Sequence, residues 1–489
     1  MMSRFVRTSL LFLVLATPMF TVMYINAADT ETPSKPKNVI LMIGDGMSFN
    51  HYQSGSYWRY GGLGRQSVDS FPVHCGVTTS QARTDTPVPQ NYPCYNSDWF
   101  WGGPKTMNKS TELTSVTDSA AAATALNTGH KTAGGRMGMS IDEKPLKKAA
   151  EVADENGKAT GSITTVVSCH ATPGAVWSAF PSRNQYEEIF NFMVRESGLD
   201  VIMGAGHPNY NDNSKLVAED KVNYNYVGGE ATWDEIVANR GINGFDFIET
   251  RQEFEQLANP TGPLPKKVLG IAHAGGSIKP RDGAPDNCPA DTKVADKVTR
   301  NLDANEIPTL STMALGTLNV LSQNKNGFYV MIEGGYIDGA AHSNDAEGVV
   351  YEVTGFTKAI DAVVDWVEKN SSWDETLLIV TADHETGILW GGIDYVDTDG
   401  DGKFDADKDE FKAYLPVESN GCGKLPKMAF YSGGHSNTLV PLWAKGAGAE
   451  GIKKYFYGKD EKAGQWWGFS GDYIDNTHIA RFMMEQLSQ

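Results

Sequence analysis

Short runs of apolar and β-branched residues recur along the chain, and most of them border Asp, Glu or His. The runs are NVILMI, SITTVV, FYVMI, TLLIVT and TLVPLWA. Such short, almost wholly apolar runs are typical of strands in a sheet that is buried on both faces. Helical patterns such as KKAAEVADENG and GFTKAIDAVVDWVEK separate them. This alternation predicts an α/β fold, a three-layer sandwich whose central, mostly parallel sheet is flanked by helices and carries inserted loops.

Polar side chains stand at or just after the ends of four of these runs. In an open α/β sheet, ligands bind outside the carboxyl ends of the strands, where the following loops meet. The side chains are Asp45, His170, Thr172, Glu333, Asp383 and His384. We therefore expect a functional site at one edge of the sheet.

The residue types at this edge suit a metal-dependent centre for phosphoryl transfer. Such a centre needs carboxylates and imidazoles close together, with a nucleophile between the ions. Zinc accepts His and Asp, whereas magnesium prefers oxygen ligands. Asp338 and His342 lie four residues apart, which puts both on one face of a helix, and His435 follows two glycines. Taken singly, each of these residues also fits an ordinary structural role.

The segment VTDSAAAATALNTGHKT predicts a short helix that begins near Ser119 and stops at Gly129. Alanine favours the helix interior, serine its start and glycine its end. The free N–H groups and the positive end of the dipole at such a start favour an anion. Ser119 is thus a candidate nucleophile toward phosphorus, and the alternative is a serine that only caps the helix.

The net charge of the chain limits the classes of partner that it can bind. A formal net charge of −18 over 489 residues argues against nucleic acid as a specific partner. The same charge repels a phosphate substrate at long range. A phosphatase of this composition therefore needs a locally positive site, and metal ions are the obvious source of that charge.

The N-terminus, MMSRFVRTSLLFLVLATPMFTVMYINAADTE, has two arginines before an apolar run and two alanines after it. This pattern predicts a signal peptide over residues 1–27, and hence a secreted or periplasmic protein. A membrane anchor is the alternative, but a proline and two threonines interrupt the run. No later segment is long and apolar enough to span a bilayer.

Residues 28–489 are predicted to form one domain with insertions near 81–114, 207–262 and 390–431. Export permits a disulfide bond among the five cysteines. Cys75 and Cys94 bracket a Pro-rich segment and could pair, although sequence does not determine connectivity. The odd number leaves at least one cysteine unpaired within the chain.

Six motifs occur in the order GDGM, VTDSAAAATA, HATP, EGGYID followed by His342, TADHET and GGHSNT. In this order the chain resembles the alkaline phosphatase family, over about residues 38–442. Each motif alone is modest, but the ordered set is highly specific. The resemblance implies hydrolysis of phosphate monoesters through a phosphoserine at alkaline pH, with phosphotransfer to alcohols as a further reaction. It also implies a homodimer.

The resemblance assigns a role to individual residues. Ser119 matches the nucleophile, Arg183 the arginine that clamps the phosphate, and Asp118 the carboxylate that orients this arginine. Two zinc ions and one magnesium ion are implied. Their ligands are Asp338, His342 and His435 for the first zinc, Asp45, Asp383 and His384 for the second zinc, and Asp45, Thr172 and Glu333 for the magnesium.

Two further positions vary within the family. His170 stands where some bacterial members carry Asp and animal members carry His, a choice that accompanies magnesium affinity and an alkaline optimum. Gly339 stands where relatives carry Lys, His or Trp. Because Gly339 offers no side chain to hold phosphate, we expect weaker phosphate binding in this chain.

The acidic stretch YVDTDGDGKFDADKDEF is a separate signal. It matches the start of a calcium loop of the EF-hand or dockerin type, with Asp397, Asp399, Asp401 and Asp405 as candidate ligands of a structural ion. The match fails at its end, where Lys408 takes the place of the bidentate Glu. A solvated acidic turn is the alternative.

Three other functions fit this sequence less well than a monoesterase does. A phosphodiesterase of the same superfamily usually has Thr as nucleophile and lacks a clamp like Arg183. A sulfatase needs a Cys-x-Pro-x-Arg motif, which this sequence lacks. The third alternative is a secreted, calcium-stabilised binding protein that has lost catalysis. It would be credible only if one of the metal-ligand residues were missing, and all of them are present.

Overall fold

A central sheet of twelve strands organises the residues that the computed structural model describes, which are 35–83, 86–89, 92–279, 283–285, 288–289 and 306–488. Its strands are β1 (Asn38–Gly44), β2 (Val73–Thr78), β5 (Ala159–Val167), β6 (Val201–Ala205), β7 (Gly241–Ile242), β8 (Phe245–Ile248), β9 (Val268–Ile271), β10 (Phe328–Gly334), β11 (Thr376–Ala382), β18 (Val440–Gly446), β19 (Gly458–Lys459) and β20 (Asp472–Asp475).

The order of the strands across the sheet is β19-β20-β2-β18-β11-β1-β10-β5-β6-β9-β8-β7. From β11 to β8 every neighbouring pair is parallel, whereas β18 pairs antiparallel with both β11 and β2. The sheet is thus mixed but mostly parallel, which confirms the predicted fold class. The apolar runs that predicted it become β1, β5, β10, β11 and β18.

Four pairs of short strands lie outside the central sheet. They are β3 (Gln81–Ala82) with β4 (Thr114–Ser115), β12 (Glu385–Thr386) with β17 (His435–Ser436), β13 (Leu389–Trp390) with β16 (Ala429–Phe430), and β14 (Gly392–Val396) with β15 (Glu410–Leu415). The β12–β17 pair brings the segment after β11 next to the loop before β18. That pairing draws two widely separated motifs into one site.

Fourteen α-helices lie in the described part of the chain. They are α1 (Phe49–Tyr60), α2 (Ser97–Trp101), α3 (Pro104–Met107), α4 (Ser119–Thr128), α5 (Ala149–Glu155), α6 (Ala171–Gly174), α7 (Tyr186–Arg195), α8 (Glu230–Asn239), α9 (Arg251–Ala258), α10 (Leu310–Leu321), α11 (Tyr336–His342), α12 (Ala346–Asn370), α13 (Glu461–Trp467) and α14 (Asn476–Leu487). No helix among these residues combines the length and apolar character needed to cross a membrane.

The strands at the centre of the sheet are buried along their whole length because helices cover both faces. All seven residues of β1, β10 and β11 are buried. The long helix α12 contributes an apolar face that includes Val353, Phe356 and Val363. Burial on both faces explains why these strands are almost wholly apolar and do not alternate apolar with polar residues.

The disulfide differs from the sequence-based suggestion. Cys288 and Cys422 form the bond, across a sequence separation of 134 residues, while Cys75 and Cys94 are free thiols. The suggested Cys75–Cys94 pair is therefore wrong. Cys75 lies in β2 and is fully buried, whereas Cys94 is partly exposed. The predicted signal peptide over residues 1–27 lies outside the described residues.

Candidate active site

The Ser119 hydroxyl stands at the first residue of α4. The helix runs from Ser119 to Thr128 and ends at Gly129, whose φ of 76° is left-handed. The sequence predicted both ends. Asp118, rather than Ser119, is the N-cap, and its Oδ1 accepts a hydrogen bond from the Ala121 N–H at 3.0 Å. The Ser119 hydroxyl is therefore not used as a cap, which removes the structural alternative for this residue.

Asp118 also holds Arg183 in the site. Its Oδ2 lies 3.1 Å from Nη1 of Arg183, and its Oδ1 accepts a second backbone hydrogen bond from Gly135. Nη2 of Arg183 donates to Nε2 of His170 at 3.0 Å. Burial tends to lower the pKa of Arg183, but Asp118 outweighs it and raises that pKa. The guanidinium is thus charged, oriented from two sides and close to the start of α4.

The strand register sets two aspartates side by side. Gly44 pairs with Ala382 in the sheet, so the next residues, Asp45 and Asp383, leave adjacent strand ends together. Oδ1 of Asp383 accepts hydrogen bonds from the backbone N–H groups of Gly46 and His384, at 3.0 and 2.8 Å. The other oxygen of Asp383, Oδ2, lies 3.0 Å from Nε2 of His384, and Oδ1 of Asp45 lies 3.6 Å from the same nitrogen.

The Ser119 hydroxyl joins this group, because its Oγ lies 3.2 Å from Nε2 of His384. Asp45, Asp383 and His384 offer one ligand atom each within 4.8 Å of one another. All three side chains are buried. The arrangement is that of a compact cation site with a hydroxyl at its edge.

A second group lies on the other side of His384. In α11 the four-residue spacing places Oδ2 of Asp338 3.3 Å from Nε2 of His342, as the sequence predicted. Nε2 of His435 lies 3.4 Å from Oδ1 of Asp338. The His435 and His384 rings stack with their centroids 3.6 Å apart. The two groups are therefore contiguous.

A third group forms on β10, where Glu333 is fully buried. Register places Glu333 between Ile43 of β1 and Thr164 of β5, and the Thr164 hydroxyl donates to its Oε2. Thr172 enters from α6 after β5. Together with Asp45, these side chains provide oxygen ligands only.

These three groups fit bound cations. In the described residues, five of their buried oxygens accept or donate no hydrogen bond: both carboxylate oxygens of Asp45, Oδ2 of Asp383, Oε1 of Glu333 and Oγ1 of Thr172. Buried carboxylates without partners are strongly disfavoured unless a cation compensates them. The ligand types also indicate which ions fit. Two groups combine imidazoles with carboxylates, which suits zinc, and the third has oxygens alone, which suits magnesium.

The pKa values of these carboxylates reflect their burial and the charged groups around them. Burial, followed by Asp383, Asp338 and Glu333, raises the pKa of Asp45 well above its usual range. Burial likewise raises the pKa of Glu333 to about 8. Burial also acts to raise the pKa of Asp338, but hydrogen bonds from His342 and His435 outweigh it and hold that pKa well below its usual range. Without cations, the site therefore binds protons in their place.

Two residues that sequence reasoning missed support the candidate ligands. The Thr386 hydroxyl donates to Oδ1 of Asp338 at 2.5 Å and lies 3.3 Å from Nδ1 of His384. The Asn108 side chain donates to the His435 carbonyl at 3.1 Å and accepts from the Asn437 N–H at 3.2 Å. Thr386 lies within the TADHET motif and could have been found there. No local pattern marks Asn108, because it reaches the site from 327 residues away.

His170 and Gly339 are both within this region. His170 is partly buried, and burial followed by Arg183 lowers its pKa to about 4, so it is a neutral acceptor for the guanidinium. At Gly339 an added Cβ would lie 2.7 Å from Cε2 of Tyr336. The Tyr336 ring thus fills the space that a side chain at position 339 would enter.

The acidic loop between β14 and β15 gathers a slightly different set from the predicted one. Asp397, Asp399 and Asp409 place ligand atoms within 4.8 Å of one another, whereas Asp401 and Asp405 are not in this group. Nζ of Lys408 lies 3.0 Å from Asp399 and 3.2 Å from Asp405. The Lys408 ammonium thus occupies part of the space where the loop pattern predicts a calcium ion.

Comparison with protein families gives a match over most of the chain. The family model described as alkaline phosphatase matches residues 80–488. Alkaline phosphatase 4 of Bacillus subtilis is 28% identical over 366 residues, which cover 74% of this chain and 64% of the relative. Alkaline phosphatase 3 of the same organism is 29% identical, covering 73% and 63%. The match thus spans somewhat under two thirds of the length of these two relatives.

Comparison with solved structures supports the fold. The alkaline phosphatase from the Antarctic bacterium TAB5 superposes with a TM-score of 0.59 and 23% identity, covering 93% of this chain and 98% of its own. The cold-active alkaline phosphatase of a psychrophilic Shewanella species gives 0.57 and 25%, covering 92% and 100%. The sheet and its flanking helices are therefore shared with these enzymes.

Proposed function

This chain belongs to the alkaline phosphatase family, and we propose that it hydrolyses phosphate monoesters to an alcohol and inorganic phosphate through a phosphoserine at Ser119. The observation that carries the proposal is the setting of the Ser119 hydroxyl. It lies at the start of a ten-residue helix, 3.2 Å from Nε2 of His384, beside three groups of candidate ligand atoms, two of which include buried oxygens without a hydrogen-bond partner. An anion is favoured at such a helix start.

The chemistry of the donors supports two zinc ions and one magnesium ion. Asp338, His342 and His435 would hold one zinc, Asp45, Asp383 and His384 the other, and Asp45, Thr172 and Glu333 the magnesium. When bound, ions in such positions supply Lewis-acid stabilisation of the oxygens that attack and leave phosphorus. A solved variant of the TAB5 alkaline phosphatase contains magnesium, which is consistent with this assignment.

The residues of the chain itself perform the rest of the reaction. The Ser119 Oγ loses its proton and forms a bond to phosphorus as the bond between phosphorus and the ester oxygen breaks, and that oxygen takes up a proton and leaves as the alcohol. Water then attacks the phosphoserine, releases inorganic phosphate and restores the Ser119 hydroxyl. An alcohol in place of that water would give phosphotransfer. Arg183, fixed by Asp118, has N–H groups left for the non-bridging oxygens of the phosphoryl group.

Four finer features are part of the same proposal. We expect an alkaline pH optimum, secretion or periplasmic export after cleavage near Ala27, a homodimer, and a structural calcium ion in the loop that contains Asp397, Asp399 and Asp409. In that loop Lys408 already neutralises part of the acidic charge. The substrates are monoesters whose phosphate is bound, while the alcohol portion stays unspecified.

The test is hydrolysis of p-nitrophenyl phosphate against pH, before and after EDTA, with zinc and magnesium added back. Activity at alkaline pH that EDTA abolishes and the two metals restore is the expected result. Ser119→Ala should remove the activity without changing the fold, measured by circular dichroism. Activity on bis(p-nitrophenyl) phosphate but not on the monoester would instead support the phosphodiesterase alternative.

A further inference from the structure

A cluster of two histidines and a glutamate lies away from the site described above. His207, Glu249 and His273 follow β6, β8 and β9, with one residue or none between each strand and its polar side chain. The three strands are adjacent and parallel in the order β6-β9-β8, so their carboxyl ends open at the same edge of the sheet. This is the placement that brings the residues of the active site together on β1, β10 and β11.

The distances within the cluster suit a small divalent cation. Oε2 of Glu249 lies 3.1 Å from Nε2 of His207 and 3.6 Å from Nε2 of His273. Tetrahedral zinc with bonds of about 2.1 Å sets its ligands about 3.4 Å apart. All three ligand atoms lie within 4.8 Å of one another. Only small movements are needed to close them around an ion.

The surroundings hold these side chains in place. His207 is buried, with 2% of its side chain exposed, and His273 has 13% exposed. The Tyr210 ring stacks on His273 at a centroid distance of 4.1 Å, and the Trp233 ring packs edge-on against His207. The rigid aromatic setting fixes both imidazoles toward the same carboxylate oxygen.

The second oxygen of Glu249 is held separately. Nη1 of Arg240 lies 2.8 Å from Oε1 of Glu249, and Nη2 of the same arginine lies 2.6 Å from Oε1 of Glu253. A partner of this kind orients a ligating carboxylate. Because two carboxylates face one guanidinium, the cluster keeps a net negative charge when both imidazoles are neutral.

We propose that His207, Glu249 and His273 form a zinc-class metal site, separate from the catalytic ions, that joins the ends of β6, β8 and β9. Two imidazoles and one carboxylate are zinc ligands, whereas calcium and magnesium prefer oxygens. The three protein ligands leave one position for water. The proposal does not depend on the proposed phosphatase activity.

Metal binding changes one hydrogen bond in the cluster. Nδ1 of His207 accepts a hydrogen bond from the Asn209 N–H at 3.2 Å, so Nε2 carries the proton that Glu249 accepts. An ion at Nε2 replaces that proton, and the ring then carries its proton on Nδ1. The bond from Asn209 is lost, so the turn of residues 207–209 shifts when the ion binds.

The test counts bound metal in the full chain. Protein stripped with EDTA is dialysed against zinc chloride, and zinc per chain is measured by inductively coupled plasma mass spectrometry. His273→Ala is expected to bind one zinc fewer than the wild type, and Glu249→Gln to bind that zinc at least tenfold more weakly. His130→Ala, which changes an exposed histidine outside both sites, should match the wild type.

Hydrogen exchange of the wild type provides a second measurement if a variant fails to fold. Zinc should slow amide exchange in residues 245–250 and 270–275 beyond the slowing that it causes in β1 and β11. Equal zinc content in wild type and folded His273→Ala, or unchanged exchange in these two segments, would overturn the proposal. The cluster would then be a hydrogen-bonded link between strand ends only.

Discussion

The Nε2 atoms of His342 and His435 lie 3.1 Å apart, and both face the carboxylate of Asp338. Nδ1 of His342 lies 2.7 Å from the Gly433 carbonyl, and Nδ1 of His435 lies 2.8 Å from the Thr117 carbonyl. Each ring therefore has a proton on Nδ1, and its Nε2 either donates a second proton to Asp338 or, without that proton, offers a lone pair to a cation. A cation shared by the two Nε2 atoms and Asp338 would replace the protons that these nitrogens donate to Asp338.

Replacing either histidine should release that cation. For His435→Ala we expect one zinc fewer per chain and a fall in kcat of at least 100-fold, because the remaining imidazole and carboxylate cannot complete the site. Metal analysis and p-nitrophenyl phosphate hydrolysis measure the two effects. His74→Ala alters a partly buried histidine outside the site and should keep the full zinc content. Unchanged zinc in folded His435→Ala would show that it is not a ligand.

Arg183 should contribute mainly to binding of the phosphoryl group. Loss of hydrogen bonds from a charged donor costs roughly 1.5–3 kcal/mol, so Arg183→Ala should lower kcat/KM by about 10- to 150-fold. Arg183→Lys keeps the charge but not the planar fork and should recover only part of this loss. Phosphate should also inhibit both variants more weakly. Equal inhibition of wild type and Arg183→Ala would rule out a clamp at this position.

Thr386 should strengthen metal binding without being a ligand. Its hydroxyl connects Asp338 with Nδ1 of His384, so its loss frees both side chains. Loss of such a supporting hydrogen bond typically weakens metal binding 10- to 100-fold. We expect Thr386→Val to need about that much more free zinc for half-maximal activity. Thr386→Ser keeps the hydroxyl and is the matched control; a similar defect in it would point to packing instead.

Glu333 should make the stability of the metal-free protein depend on pH. Its folded pKa of about 8 lies above the ordinary value of 4.5, so the folded state binds the proton more tightly. The resulting stability is fully present below pH 4.5 and is lost as the pH rises through 8, at up to about 1.4 kcal/mol per pH unit. Urea unfolding of EDTA-treated protein measures this slope. Glu333→Gln should reduce it, and zinc with magnesium should abolish it.

Tyr336 and Gly339 should behave as a coupled pair. Alanine normally stabilises a helix over glycine by about 1 kcal/mol, but here the new methyl group meets the Tyr336 ring. We expect Gly339→Ala to destabilise the wild type by roughly 1–3 kcal/mol. In a Tyr336→Ala background the same change should instead stabilise. Additive effects in the double-mutant cycle would show that the ring does not restrict position 339.

The same pair provides a test of phosphate binding at Gly339. Lysine at this position cannot enter beside the Tyr336 ring without displacing it. In the Tyr336→Ala background, we expect Gly339→Lys to lower the inhibition constant for phosphate, because an ammonium then reaches the site. Gly339→Met is the uncharged control of similar length. No difference between these two variants would count against weak phosphate binding as a consequence of Gly339.

Local sequence determined much of the fold and of the candidate site. The wholly apolar runs specify buried strands, since a strand covered on both faces cannot alternate. The helix that starts at Ser119 was predictable from its alanines and from Gly129. The helical spacing of Asp338 and His342 likewise put both on one face. These features depend on residues a few positions apart, whose geometry the backbone itself fixes.

Tertiary structure decided which distant groups meet. Asn108 supports a loop 327 residues away, and the Tyr336 ring occupies the space above Gly339. The disulfide joins Cys288 to Cys422, whereas Cys75 and Cys94, which the sequence suggested as a pair, are free thiols. The cluster of His207, Glu249 and His273 depends on the order β6-β9-β8, in which the last strand in sequence lies between the other two. Sequence specifies the strands, but their order follows from packing of the whole sheet, and only that order places the polar ends side by side.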